Sequence, residues 1–374
     1  LALLLLSFYS CESWLNVTPS DRLSEEMLFN DREGFVKALN GVYIELNTNE
    51  LYGRNLTAGA LDVMGQYYSV ASSSHAFYNY GGLVYTGNDE KALFDNMWQK
   101  CYAVIACCNT IIEKCDENKA GLSPVWKGAI KGEALALRAM LHFDMLRLFG
   151  PLTSELDKES IPYQTNSDQT VTPLLSGSEV IGLILDDLKN AVGLLKDTDP
   201  YFVEEEFSDT DLNYRRFRMN YFAAKGLMAR VQLWGGDKEK AAATAKEVIA
   251  EGQAEGAEFF PFVTNSEATS SNPDRVFYSE VLFGTYHSSR EKLHEDLFAP
   301  TLESTSILTL AGTARRDDLY DNENDYRYSV WSTYNKNGTS VLYHRKFEKQ
   351  DNVTAEFTQR TEKRVRSGWL KLEI

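Results

Sequence analysis

The sequence predicts a mainly α protein, made of tetratricopeptide-like helical pairs that carry irregular loops and a small β-hairpin. Three features carry that expectation. Through the first 250 of 374 residues, apolar side chains recur every three or four positions, the period of a helix with one buried face. Residues 219–252 hold two such runs joined by Gly235-Gly236-Asp237, the arrangement of a helical hairpin. After about residue 253 the periodicity lapses, and 330–347 alternate around Asn337-Gly338, a two-residue hairpin signal because both residue types accept positive φ.

Each helix has its own warrant. Residues 31–47 place Phe35, Leu39, Val42 and Leu46 on one stripe behind Asp31, whose carboxylate suits a helix N-cap. Residues 90–118 and 124–149 predict two long helices. The second opens on Pro124, whose missing N–H is harmless in a first turn, and stops at Gly150-Pro151. Over 178–196, Val180, Ile184, Leu188, Val192 and Leu195 share a face. In 219–252, Ala224, Ala229, Ala242 and Ala245 are expected at the helix crossing, where small side chains let backbones approach, as in helical repeats. The pairs are unevenly spaced, which excludes a regular solenoid.

Charge excludes some partners. With 38 Lys+Arg against 54 Asp+Glu the net charge is −16, which argues against nucleic acid, since duplex affinity rests on basic groups displacing counterions. The same balance disfavours electrostatic attachment to an anionic membrane surface. Residues 1–11, LALLLLSFYSC, form an uncharged apolar run ending in a cysteine. The run is far short of the ~20 residues a membrane span needs. It fits a partial bacterial lipoprotein signal peptide at 1–10, with Cys11 as the acylated residue and a lipid anchor through it. Several acyl chains on one residue meet the requirement for stable anchoring.

No catalytic or metal motif accounts for the function. The chain has no HExxH, GxSxG, Walker, GxGxxG or CxxC pattern, and its five histidines are scattered. Cys101, Cys108 and Cys115 are seven apart, ~10 Å along a helix, too far for one tetrahedral metal site. They read as small buried apolar residues. No cofactor, metal or enzyme activity is expected. A helical glycoside hydrolase, needing two placed carboxylates, and a tetratricopeptide-like peptide-binding adaptor are the alternatives.

A binding surface is indicated instead. Residues 63–88 contain no Asp, Glu, Lys or Arg, yet hold six aromatics: Tyr67, Tyr68, Phe77, Tyr78, Tyr80 and Tyr85. Sugars present apolar C–H faces that stack on rings, and hydroxyls that need polar partners; Tyr supplies both. Asp62 and Asp89 flank the stretch, and Tyr326, Tyr328, Trp331 and Tyr334 gather at the hairpin.

Several ordered motifs resemble the SusD/RagB family of outer-membrane glycan-binding lipoproteins from Bacteroidetes. They are Cys11 followed by Trp14, Leu15 and Pro19; Ala38-Leu39-Asn40-Gly41-Val42-Tyr43; and Arg138-Ala139, Phe143, Leu146 and Phe149-Gly150 within EALALRAMLHFDMLRLFGP. Ile161-Pro162, the 221–248 pair, Asp325-Tyr326-Arg327 and Arg345-Lys346-Phe347 follow in the family's order. The chain departs from it where Pro151 directly follows Gly150, and in the basic segment 360–374, which stands in place of a further family helix. The resemblance implies a SusD-like fold, C-terminally incomplete. Residues 1–10 are the partial signal and 11–374 a single domain: a scaffold at about 20–252, a glycan-facing segment at about 253–350, and the atypical tail. It further implies an oligosaccharide or polysaccharide ligand, a TonB-dependent SusC-like transporter as partner, and a surface-exposed, lipid-anchored location in the outer membrane. The glycan-binding residues expected on this basis are Asp62, Tyr68, Tyr78, Tyr80, Tyr286 and Trp331. Tyr80→Ala or Trp331→Ala is expected to weaken glycan retention without changing the fold.

Overall fold

The computed structural model describes residues 25–349, except 169, 208–211, 213, 254–258, 271–272, 288, 321, 323 and 346, together with the strand at 369–370. Cys11, the signal at 1–10, Trp14, Leu15, Pro19, Lys346 and nearly all of the 360–374 tail lie outside the described residues.

The helices, in chain order, are α1 (Glu25–Leu28), α2 (Arg32–Leu46), α3 (Ala60–Met64), α4 (Tyr78–Gly81), α5 (Asn88–Glu117), α6 (Pro124–Phe149), α7 (Gly177–Thr198), α8 (Tyr221–Trp234), α9 (Lys238–Gly252), α10 (Asn265–Thr269), α11 (Arg290–Leu297) and α12 (Thr313–Leu319). The strands are β1 (Glu159–Pro162), β2 (Leu174–Ser176), β3 (Tyr286–His287), β4 (Trp331–Lys336), β5 (Thr339–His344) and β6 (Trp369–Leu370). They form three antiparallel pairs, β1–β2, β3–β6 and β4–β5. The mainly α fold follows the sequence pattern because the caps are real. Asp31 accepts from Gly34 N at 2.8 Å, Ser123 caps α6 ahead of Pro124, and Ser176 with Glu179 closes a capping box on α7.

α6 lies between α5 and α7 and is buried nearly all round, as its almost continuous apolar sequence requires. Gly132 permits the α6–α7 approach, since a Cβ there would sit 2.7 Å from Leu195 Cγ. α8 and α9 form the expected hairpin pair. The face α9 buries, however, is Ala241, Thr244 and Val248, whereas Ala242 is exposed and Ala245 half-buried. Thr244 Oγ1 donates to Gln232 Oε1 at 2.8 Å and sets the phase of that contact.

Apolar burial divides into two clusters. The first joins α2 and α5–α9. The second combines Ala58–Tyr80 with residues from Leu293 to Phe347. The uncharged stretch and the late irregular segment thus build one core, stitched by a bridge in which Ser69 N donates to Thr309 O at 2.7 Å. The β4–β5 hairpin turns at Asn337 (φ 52°) and Gly338 (φ 86°), both in the left-handed region.

Candidate functional site

The uncharged stretch folds into a wall. Leaving α3, the chain reverses at Gln66, a non-glycine residue at φ 60°. Gln66 Nε2 donates to Gly81 O at 3.2 Å, holding the exit of α3 against the end of α4. Between these elements and residues 311–315 lies a cavity of about 600 Å³, within the ordinary range for small-ligand sites. Gln66, Tyr67, Tyr68, Tyr78, Asn79 and Arg315 are among its lining residues. Asn79 is held from behind, its amide donating to the buried Glu90 at 2.9 Å. Tyr78 is 44% exposed and lines the cavity's rim with Val84, 46% exposed.

A second cavity, of about 350 Å³, shares Tyr67 with the first. Arg275, Phe277, Tyr320, Arg327 and His344 also line it. The Tyr67 and Tyr320 hydroxyls are 2.7 Å apart, in a hydrogen bond. Burial raises the Tyr67 hydroxyl pKa, and the bond to Tyr320 adds to the rise. Burial also raises Tyr68, helped by the nearby charge of Asp62, and pushes Tyr80 up to about 12. The Tyr67, Tyr68 and Tyr80 phenols are therefore neutral at physiological pH, able to donate as well as accept.

The six residues expected from the sequence fall in different places. Tyr68 and Tyr78 line the first cavity. Asp62 is half-buried on α3 and is not part of its lining. Tyr80 and Trp331 are buried, at 3% and 5% exposure. The Tyr80 ring sits 5.9 Å from Phe77 and 6.1 Å from Phe94; Trp331 lies 6.2 Å from Tyr68 and 4.6 Å from His344. These two rings therefore support the wall and present no open face to a sugar. Tyr286 packs 6.1 Å from Phe217 and lines neither cavity. Tyr67, Gln66, Asn79, Arg315 and Tyr320 are the residues that sequence reasoning did not single out as site residues. The first three sit inside the uncharged stretch, but nothing local links them to Arg315 or Tyr320.

Among the described residues, no group of three His, Cys, Asp or Glu is placed to hold a metal ion, and no helix is long and apolar enough to cross a membrane. The paired-helix scaffold thus carries an open, tyrosine-walled cavity beside α3 and α4. Residues 13–233, more than half the chain, match the SusD-like family described as "Starch-binding associating with outer membrane", and the chain belongs to that family.

Known relatives are similar along part of their length. A SusD-like protein of Formosa agariphila is 26% identical over 253 residues, 66% of this chain and 44% of the relative. A SusD-like protein of Bacteroides ovatus is 30% identical over 146 residues, 38% of this chain and 23% of the relative. The chain thus spans less than half the length of these relatives. Among solved structures, a SusD-like carbohydrate binding protein from Bacteroides vulgatus has a TM-score of 0.65 at 20% identity, covering 86% of this chain and 66% of that one. A SusD superfamily protein from Bacteroides thetaiotaomicron has 0.63 at 20%, covering 82% and 66%. These likenesses establish the SusD-like fold.

Proposed function

We propose that this chain is a surface lipoprotein that binds an oligosaccharide or polysaccharide without cleaving it and delivers it to a TonB-dependent SusC-like transporter in the outer membrane. Cys11 carries the lipid anchor. The observation that carries the reading is the tyrosine-walled cavity of about 600 Å³ in a chain of a family described as starch-binding. Ring faces of Tyr67 and Tyr78 stack on sugar C–H surfaces, backed by the buried Tyr68, while Gln66, Asn79 and Arg315 bond hydroxyls. Residues 11–374 act as one domain, in which the helical scaffold of about 20–252 holds the irregular glycan-facing segment of about 253–350. The bridge between Ser69 and Thr309 supports that unity.

Affinity electrophoresis through gels cast with a panel of polysaccharides tests binding. Retardation by at least one glycan, reduced in Tyr78→Ala, is expected; migration unchanged across the panel removes the proposal. Release of reducing ends from a retained glycan would restore the glycoside-hydrolase alternative. Palmitate labelling lost in Cys11→Ser, and co-purification with a SusC-like porin, test the anchor and the partner.

A further inference from the structure

The second cavity contains a buried cation whose hydrogen-bonding capacity the fold leaves unused. Arg275 is 7% exposed. Its Nη2 lies 3.3 Å from Glu348 Oε2, while Nε and Nη1 are buried without a hydrogen-bond partner among the described residues. That one carboxylate oxygen also accepts from Arg345 Nε at 2.7 Å, so Glu348 is divided between two guanidinium groups. A buried, incompletely paired guanidinium is costly, and an anionic ligand that completes its bonds recovers that cost.

Arg275 lines the cavity from a tight turn. Asp274 directs its carboxylate to the turn, accepting from Val276 N at 3.0 Å and Tyr278 N at 2.8 Å, while the Arg275 ion pair is with Glu348. Phe277 completes the turn at φ 52°, a conformation a bulky residue rarely adopts. Arg327 lies across the cavity, 5.6 Å from the Tyr320 ring centroid, with Asp325 as its own partner. No carboxylate stands among the described residues lining this cavity, in a chain whose net charge is −16. Planar guanidinium donors beside the Tyr67 and Tyr320 hydroxyls match the oxygens of a carboxylate or a sulfate ester.

We propose that the second cavity binds the anionic group of an acidic sugar, carboxylate or sulfate, through Arg275, so that the ligand is an acidic oligosaccharide lying across both cavities at Tyr67. This rests on the glycan-binding reading and adds its ligand class. The test is calorimetric titration of the full chain with an oligogalacturonate, a sulfated galactan oligosaccharide and a neutral malto-oligosaccharide of equal length, with inorganic sulfate alone as a fourth arm.

One acidic arm is expected to bind about tenfold or more tighter than the neutral one, the scale of a charge-assisted hydrogen bond. Whichever arm that is identifies the anion. In Arg275→Gln the acidic-to-neutral ratio should fall to about one, and Arg275→Lys should keep part of it. Equal acidic and neutral affinities in the wild type, or a preference that survives in Arg275→Gln, overturn the proposal while leaving glycan binding intact. If the variant does not fold, salt dependence of the wild type decides: acidic affinity should fall with NaCl while neutral affinity stays flat, and parallel behaviour overturns it. Sulfate binding with no oligosaccharide bound in any arm would retain the anion site and overturn the glycan reading.

Discussion

Replacing Arg138 by Met should destabilise the protein severely, because Arg138 joins three helices through buried charge. Its Nε and Nη2 each donate to Asp187 at 2.7 Å, and its Nη1 donates to Asn109 Oδ1 at 2.8 Å. Tyr163 OH donates to the same Asp187 at 2.6 Å. Both charged partners are over 90% buried, on α6 and α7, and Asn109 stands on α5. Met keeps the aliphatic volume but leaves Asp187 with one neutral donor, and breaking a buried pair on one side costs ~3–5 kcal/mol. The double variant Arg138→Met/Asp187→Leu removes both charges and should recover most of the loss, to within ~1–2 kcal/mol of the wild type. Urea unfolding followed by circular dichroism measures all three proteins, with the slope checked for two-state behaviour. A single variant losing under ~1 kcal/mol, or a double variant worse than the single, would refute the reasoning.

Tyr80→Ala and Trp331→Ala should lower the unfolding free energy by ~3–5 kcal/mol each, on the scale of buried aromatic truncation, and with it the urea midpoint, whereas Tyr78→Ala, at a 44% exposed rim, should weaken retention on a glycan gel and leave the midpoint unchanged. This revises the sequence expectation that the first two variants keep their fold. His142 is wholly buried, donates from Nδ1 to Arg138 O at 2.9 Å and accepts from Gln164 N at 3.0 Å, and desolvation holds its pKa down to about 3, from 6.5. The folded value lies below the unfolded one, so its contribution is complete above 6.5 and is lost as pH falls from there toward 3, at ~1.4 kcal/mol per unit. His142→Gln should flatten the acid limb of urea-derived unfolding free energy against pH by that amount, and an unchanged slope would contradict the assignment. Gly132→Ala, with its Cβ 2.7 Å from Leu195 Cγ, should cost ~1–3 kcal/mol through overpacking between α6 and α7, read by thermal melting.

What the sequence made legible follows from where physical signals are local. Pro124 and Gly150 mark the ends of α6 because a missing N–H and a missing Cβ act on the backbone where they stand. The phase of α9 was less legible: in an alanine-rich run, Ala241 and Ala242 carry the same weak apolar signal, and only the Thr244–Gln232 bond across the hairpin distinguishes the faces. The uncharged tyrosine stretch was visible as an anomaly, but composition does not say which ring faces out. Tyr80 and Tyr78 are two residues apart on the short helix α4, one buried under Phe77 and Phe94, the other at the rim. The partner of Tyr67 is Tyr320, 253 residues away, and no short-range pattern connects them.

The division of labour among these rings explains how the site is held open. Sugar stacking requires an aromatic face that stays accessible, yet an exposed tyrosine loop would collapse on itself to hide its apolar area. Here the second apolar cluster prevents that. Trp331 at the base of the hairpin and Phe298 after α11 pack Tyr68 from behind, 6.2 and 5.4 Å between ring centroids. The hairpin in turn is tied to the loop before α12, with Lys336 Nζ donating to Leu302 O at 3.0 Å. The late irregular segment therefore serves the early one, supplying the buried backing that lets Tyr67 and Tyr78 remain at the surface. It also delivers Arg315 to the first cavity and Arg275 to the second. In the first cavity the charge comes from a different part of the chain than the rings do, Arg315 from the late segment and Tyr67, Tyr68 and Tyr78 from the early one, so a change at Arg315 alters the wall's charge while the tyrosines stay the same.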